Sequence, residues 1–138
     1  MEYAHTITVP AGFEETVTRT REALATQGFG VLTEIDVNAT FTAKLGAEAG
    51  DAVGSYLILG ACNPPLAQRA IAADSGIGAL LPCNVVIRRA AGDTATTVQA
   101  IDPMTMVQLS GQPAIQEVAA EADRRLQAAL STLGETSR

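Results

Sequence analysis

The stretch Tyr56-Leu57-Ile58-Leu59-Gly60-Ala61-Cys62-Asn63-Pro64-Pro65 decides how the rest of the chain is organised. Its first six residues form an almost unbroken apolar run, which is typical of a central strand buried on both faces. Asn63 and the two prolines indicate a helix start, because Asn caps a helix through its side chain and a proline there needs no N–H. The stretch therefore predicts a buried strand that ends at Cys62, followed directly by a short helix through residue 73.

Upstream of this stretch, the sequence predicts a strand, a helix and a second strand. Residues 3–9 are β-branched and alternate in polarity, residues 13–28 have apolar positions at helical spacing before Gly28, and residues 31–37 alternate again. Asn38 is predicted to cap a second short helix that ends at residue 45. Residues 46–55 are rich in Gly and Ala, and we expect them to form a mobile loop.

Downstream, the pattern predicts a hairpin and a long terminal helix. Residues 76–82 are apolar but contain two glycines and end in proline, so we expect a packed loop there. A strand over residues 83–89 turns at Gly92-Asp93 into a strand over residues 94–101, closed by Asp102-Pro103.

The terminal helix has the strongest periodicity in the chain. Pro113 is predicted to open it and Gly134 to close it. One apolar stripe is expected to face the core, namely Ile115, Val118, Ala119, Ala122, Leu126, Ala129, Leu130 and Leu133. The charged face is expected to be solvated, and it comprises Glu117, Glu121, Asp123, Arg124 and Arg125.

Length and composition indicate one globular domain over residues 1–138. A chain of 138 residues fits one hydrophobic core, and 47% hydrophobic with 17% charged residues favours a packed core over disorder. A net charge of −6 argues against nucleic-acid binding because phosphate would be repelled. The N-terminus lacks the features of a signal peptide and no apolar run reaches the length of a membrane span, so we expect a cytoplasmic protein with reduced thiols and no membrane partner.

Two motifs together resemble one known family. Leu59-Gly60-Ala61-Cys62-Asn63-Pro64 and Leu81-Pro82-Cys83-Asn84-Val85-Val86, with the Gly28-Phe29-Gly30 turn and the Asp102-Pro103-Met104 element, resemble the bacterial and archaeal domain of unknown function 302. The resemblance implies a TATA-box-binding-protein-like α+β fold, with a mainly antiparallel sheet in the order strand, helix, four strands, helix. Our element order agrees when two short helices are counted as insertions. The resemblance also implies a homodimer, but it brings no established activity.

The predicted sheet places the two cysteines near each other. If the strand ending at residue 61 and the strand starting at Cys83 are antiparallel neighbours, the end of one and the start of the next share a sheet edge. We then expect the Cα atoms of Cys62 and Cys83 to lie roughly 4 to 7 Å apart, near enough to share a ligand. Parallel strands would separate them by about 17 Å.

Three functional hypotheses follow from this edge. The leading one is a non-enzymatic, dimeric module that binds a small molecule or a soft metal at Cys62, Asn63, Cys83 and Asn84. The second is a thiol enzyme, an oxidoreductase or sulfur carrier, with Cys62 as the attacking thiolate beside a helix N-terminus. The third is a structural or interaction protein in which both cysteines are buried hydrophobes and both asparagines satisfy backbone groups.

A metal at the cysteine pair would be Cu(I) or Zn, which prefer sulfur ligands. Cys62 and Cys83 alone underfill a zinc site, and further ligands could come from His5, Met104 and Met106. A structural role is the simpler interpretation of the histidine and the methionines. The sequence contains no nucleophile elbow, Walker motif, dinucleotide fingerprint or zinc-binding His-Glu pair, which argues against an ordinary hydrolase.

Overall fold

A computed structural model describes residues 2–136, in which the chain forms five strands, six α-helices and one 3₁₀ helix. The strands are β1 (Ala4–Val9), β2 (Gly30–Asp36), β3 (Ser55–Cys62), β4 (Cys83–Arg89) and β5 (Thr96–Ile101). The α-helices are α1 (Phe13–Thr26), α2 (Val37–Leu45), α3 (Ala47–Val53), α4 (Pro64–Ala73), α5 (Met104–Ser110) and α6 (Pro113–Thr136). The 3₁₀ helix spans Ser75–Leu80.

The five strands form one sheet in the order β1-β5-β4-β3-β2, and every neighbouring pair is antiparallel. The predicted α+β class is therefore confirmed, and so is the order of one strand, a helix, four strands and a final helix. Because β3 and β4 are adjacent and antiparallel, the end of β3 and the start of β4 lie at the same edge of the sheet.

Helices α1 and α6 cover one face of the sheet. Alternate residues of β3, namely Leu57, Leu59 and Ala61, are buried against Leu24 of α1 and Leu126 of α6. This alternation is the period of two expected for a strand with one face in a core. The opposite face of the sheet is only partly covered, because Ile58 and Val86 are half-buried and Ile35 is exposed.

A second apolar cluster lies beyond the end of the sheet. It is formed by α4, the 3₁₀ helix, α5 and the first half of α6, through the buried residues Leu66, Ala70, Ile77, Met106, Ile115, Val118, Ala119 and Ala122. Helix α6 contributes to both clusters because its apolar stripe continues along its length. The stripe predicted from the sequence is buried at every position.

Two predicted features between β2 and β3 were wrong. Residues 46–55 are largely helical, since α3 follows α2 directly and packs beside it. Asp36 caps α2 by accepting from the Ala39 N–H, while Asn38 donates to the carbonyls of Gly50 and Gly54. The close approach of the two helices explains the glycine, because a Cβ at Gly50 would collide with Thr42 of α2.

The C-terminal part differs from the prediction at three places. Most of the predicted loop 76–82 forms the 3₁₀ helix, and a cis peptide bond between Leu81 and Pro82 follows that helix. Residues 104–110 form α5, which the periodicity did not indicate. Gly134 does not close α6, since the helix continues to Thr136, and an interior glycine costs only about 1 kcal/mol against alanine. No helix in residues 2–136 combines the length and apolarity needed to cross a membrane.

Candidate functional site

The two cysteines lie at one edge of the sheet, where β3 ends and β4 begins. Ala61 pairs directly with Cys83, and Cys62 pairs with Gly30 on the other side of β3. Directly opposed residues lie about 5 Å apart and one step along a strand adds about 3.4 Å, so the Cα atoms of the cysteines are about 6 Å apart. The register thus places the pair within the range expected from the sequence.

The cysteine side chains leave the sheet on opposite faces. Cys83 and its partner Ala61 are both buried in the core between the sheet and the helices, so by alternation Cys62 points to the other face. Both cysteines are free thiols. This arrangement favours two separate thiols at a shared edge over a disulfide.

A cavity of about 330 Å³ lies off this edge of the sheet, and both cysteines line it. It sits between the two apolar clusters, where the strand ends meet α4, α5 and α6. Its walls are formed by Phe29, Leu32, Thr33, Ala61, Cys62, Asn63, Leu66, Ala67, Ala70, Ile71, Gly78, Leu81, Pro82, Cys83, Met106, Val118 and Ala122. None of these side chains carries a charge, so the cavity is an apolar space.

The rim of the cavity carries two exposed hydrophobic side chains. Leu32 is 67% exposed and Ile71 is 46% exposed, although both also line the cavity, so the cavity reaches solvent beside them. Leu32 owes its position to a register irregularity between Val31 and Thr33 in β2. Such irregularities re-aim a side chain away from the regular alternation, and here the side chain is directed to the cavity mouth.

Cys83 is a neutral thiol at physiological pH. Burial in the apolar edge raises its pKa from 9.0 to about 11, and the nearby Cys62 adds to the rise because two thiolates would repel each other. Its side chain therefore behaves as a small hydrophobe of the cavity wall. A nucleophilic or metal-binding thiolate at this position would have to overcome that desolvation cost.

The start of α4 offers Cys62 no free backbone donor. Pro64 and Pro65 lack an N–H, the Leu66 N–H donates to the Asn63 side chain, and the Ala67 N–H donates to the Asn63 carbonyl. The first turn of a helix stabilises a thiolate mainly through such donors. The structural support for Cys62 as an activated nucleophile is therefore weaker than the sequence suggested.

Asn63 has a structural role at this edge. It is buried, it caps α4 through Leu66, and its amide lies 3.5 Å from the Gln27 carbonyl. Gly28 makes this approach feasible, because a Cβ there would come within 2.9 Å of the Asn63 amide nitrogen and its φ is +82°. The expected capping function of Asn63 is thus confirmed.

Asn84 lies outside the cavity. It is exposed and pairs with Gly60, which places its side chain on the face of the sheet away from Cys83. It does not belong to the cavity wall. Of the four residues predicted for the site, Cys62, Asn63 and Cys83 line the cavity, whereas Asn84 lies one step further along β4, opposite Gly60, and is exposed.

The candidate metal ligands divide between two places. Met106 lines the cavity with both cysteines, and Met104 packs against the adjoining apolar cluster. His5 lies elsewhere, with Asp102 and Asp123. In the part of the chain that the structure describes, no group of three His, Cys, Asp or Glu ligand atoms includes either cysteine, so a four-ligand zinc site is not assembled there.

An ion-pair bridge holds two walls of the cavity together. Arg69 of α4 and Arg125 of α6 both bind Glu121 of α6, at 3.3 and 3.2 Å. The hydrogen bond from Arg69, with a further one from Arg125, lowers the pKa of Glu121 below its ordinary value. Arg125 also donates to the Gln27 carbonyl, which links α6 to the turn after α1. Glu121 and Arg125 therefore have partners, which corrects the expectation of a simply solvated face.

Sequence reasoning missed most of the cavity wall. Val118 and Ala122 were assigned to the apolar stripe of the last helix, and nothing in the periodicity separated cavity-lining from core positions. Leu32 and Ile71 give a signal only in the folded structure, where they are large apolar residues left exposed.

The chain is similar to a known family and to a solved structure. The family described as "Domain of unknown function DUF302" matches residues 5–133. A solved structure of an uncharacterized conserved DUF302 protein from Bacillus stearothermophilus matches with a TM-score of 0.85 and 30% sequence identity. The match covers 96% of this chain and 99% of that one. No functionally curated protein matches significantly.

Proposed function

The chain belongs to the DUF302 family, and within that family we propose that it is a non-enzymatic binding module whose cavity beside Cys62 and Cys83 takes up a small apolar molecule. The observation that carries the proposal is the cavity of about 330 Å³ with an uncharged wall and an exposed hydrophobic rim. Ligand sites in proteins are typically concave and apolar, about 300–1,000 Å³ in volume, with few polar groups.

The wall sets the chemistry of the ligand. At the packing density of protein interiors, about 0.75, the cavity holds a molecule with a van der Waals volume of about 250 Å³. The polar groups of the wall are the Thr33 hydroxyl, the two thiols and the Asn63 amide, which is already engaged with Leu66. A charged ligand would lose its hydration without gaining a partner, so the ligand is neutral.

The test uses N-phenyl-1-naphthylamine, a neutral aromatic dye whose fluorescence rises in apolar surroundings. We expect saturable binding by the unaltered protein. Ala67→Phe places a ring in the cavity from α4 and should weaken binding at least tenfold. Gln68→Phe adds the same ring one residue further along α4, at an exposed position, and should leave the affinity unchanged.

Two outcomes would overturn the proposal. One is the absence of saturable dye binding to the unaltered protein. The other is a folded Ala67→Phe variant, checked by circular dichroism, that binds the dye as well as Gln68→Phe does. In either case the cavity is only a packing feature, and the structural or interaction role becomes the better explanation.

Cu(I) binding is a second candidate, favoured by one observation. The sulfur-bearing side chains of Cys62, Cys83 and Met106 all line the same cavity. Soft thiolate and thioether ligands select Cu(I). Titration against a chromophoric Cu(I) chelator should show one tightly bound ion, and Met106→Leu should weaken it while preserving the side-chain volume. If Met106→Leu and Cys62→Ser each bind Cu(I) as tightly as the unaltered protein, this site is excluded.

The thiol-enzyme alternative has a separate readout. It requires one unusually acidic cysteine, whereas burial raises the pKa of Cys83 and the donors at the start of α4 are already used. The rate at which Cys62 is alkylated can be measured against pH in a Cys83→Ala variant. It would support an enzyme only if the thiolate forms at a pH well below the ordinary pKa of a cysteine.

The homodimer remains part of the proposal. The sheet face opposite α1 and α6 carries Ile35, Ile58 and Val86. These side chains make part of that face apolar, and this apolar part gives two copies of the chain a surface through which to meet. Sedimentation should show a dimer that Ile35→Glu dissociates, while Leu109→Glu, at another exposed position, leaves it intact. A monomeric unaltered protein would exclude the dimer.

A further inference from the structure

His5 of β1, Asp102 after β5 and Asp123 of α6 converge at the edge of the sheet formed by β1. His5 Nε2 lies 2.6 Å from Asp123 Oδ1 and 3.9 Å from Asp102 Oδ2. One ligand atom from each residue lies within 4.8 Å of the other two. We propose that these three residues bind a divalent transition-metal ion, with Zn²⁺ as the simplest occupant, at a site separate from the cysteine-lined cavity.

The distances suit a metal of this size. Zn–N and Zn–O bonds are about 2.1 Å, so ligand atoms of a tetrahedral site lie about 3.4 Å apart. The two distances from His5 Nε2 fall on either side of that value. Small side-chain rotations would therefore bring Nε2 and the two carboxylate oxygens to bonding distance. Three protein ligands leave one coordination position for water.

Both carboxylates are held in place by their second oxygen. Asp102 Oδ1 accepts from the Met104 N–H at 2.9 Å, and Asp123 Oδ2 accepts from the Gln127 amide at 2.7 Å. These bonds leave Asp102 Oδ2 and Asp123 Oδ1 directed at His5. Hydrogen bonds to the non-ligating atom are the usual way in which proteins orient metal ligands.

The charges of the cluster also favour a cation. Within residues 2–136, His5 is the only ion-pair partner of either carboxylate. One imidazolium neutralises at most one of two carboxylates, and the side chains of His5, Asp102 and Asp123 are only 28%, 19% and 19% exposed. A divalent ion neutralises both in this partly desolvated place. Nε2 would give its lone pair to the metal, and the ring would keep its proton on Nδ1.

The type of metal follows from the donor set. One imidazole and two carboxylates lack the thiolate that selects Cu(I) and the six or more oxygens that Ca²⁺ takes. Imidazole and carboxylate together suit Zn²⁺ and, more weakly by the usual affinity series, Mn²⁺. From the sequence, His5 was only a possible further ligand for the cysteines, whereas in the structure β1 pairs with β5 and packs beside α6, so that His5 lies with Asp102 and Asp123.

Calorimetric titration with ZnCl₂ tests the site. We expect one ion per chain, at least tenfold weaker binding in His5→Ala and Asp123→Asn, and a change of less than twofold in Glu117→Gln. Glu117→Gln is the matched control because it removes the same charge from an exposed position of α6. A double Cys62→Ala/Cys83→Ala variant should retain the affinity.

Titration with Co²⁺ gives an independent readout of the ligands. Binding at the proposed site should produce visible d–d absorption without the near-ultraviolet band of thiolate-to-cobalt charge transfer. The proposal is overturned if the unaltered protein binds no Zn²⁺ saturably, if His5→Ala binds as well as the unaltered protein, or if the thiolate band appears and disappears with the cysteines. Circular dichroism of the metal-free variants establishes that each one is folded.

Discussion

The stability of this protein should depend on pH through Cys83. Its folded pKa is about 11, against 9.0 for an ordinary cysteine, because burial and the neighbouring Cys62 disfavour the thiolate. Since the folded pKa is raised, the buried neutral thiol contributes its full stabilisation below pH 9. That contribution is lost as the pH rises through 9 towards 11, because the unfolded chain then ionises first.

The magnitude follows from the two pKa values. A shift of two pKa units corresponds to about 2.7 kcal/mol when the thiol is ionised in both states, and about half of that, roughly 1.4 kcal/mol, is lost by pH 10. Groups other than Cys83 also titrate in this range. The quantity to compare is therefore the difference in the free energy of unfolding between the unaltered protein and Cys83→Ala.

Urea unfolding followed by circular dichroism, in the presence of a phosphine reductant, measures this difference. We expect the advantage of the unaltered protein over Cys83→Ala to shrink by about 1.4 kcal/mol between pH 7 and pH 10. A matched comparison with Cys62→Ala controls for effects of thiols in general. If the difference for Cys83→Ala is the same at both pH values, the thiol is not desolvated and the reasoning fails.

Three further substitutions test the packing around the site, each measured as the change in the free energy of unfolding. Asn63→Ala removes the α4 cap and should cost about 1–2 kcal/mol, while the exposed Asn84→Ala stays within about 0.5 kcal/mol, and equal losses would contradict the cap. Gly60→Ala should cost about 1–3 kcal/mol, because its Cβ would collide with the Thr33 side chain and come within 2.9 Å of Pro82 Cγ, and an unchanged urea midpoint would refute these contacts. Leu126→Ala should cost about 2–5 kcal/mol, since Leu126 of α6 is fully buried in the core against the sheet. A loss below 1 kcal/mol would show that the core repacks.

The elements that carry strong local signals could be predicted from the sequence. The Asn-Pro-Pro helix start after the apolar run, and the strand predicted between Pro82 and the Gly92-Asp93 turn, gave α4 and β4 with the bounds that the structure has. Their prediction succeeded because helix capping and runs of apolar residues act over a few residues, although the expected burial of β3 on both faces was wrong, since one of its faces is only partly covered. Helices α3 and α5 were missed because both are short, and helices of that length depend on tertiary packing more than on their own periodicity.

The candidate site was predicted only in part. Once β3 and β4 are taken as antiparallel neighbours, Cys62 at the end of β3 and Cys83 at the start of β4 must lie at the same edge of the sheet. The position of Asn84 outside the cavity wall, and the cavity itself, depend on how α4, α5 and α6 pack beyond that edge. No local pattern contains that information, since the cavity wall comes from five separate stretches of the chain, within residues 29–33, 61–71, 78–83, 106 and 118–122.

The sequence by itself determined most of the order of strands and helices, because that order follows from residue periodicity. The mainly antiparallel sheet, and with it the meeting of the two cysteines, was what the family resemblance implied. Only the tertiary structure decided that Cys83 is a buried neutral thiol, that an apolar cavity reaches solvent beside Leu32 and Ile71, and that His5 joins two aspartates outside the cavity wall. Burial, cavities and ligand clusters arise from segments distant in sequence, so they exist only once the sheet register and helix packing are formed.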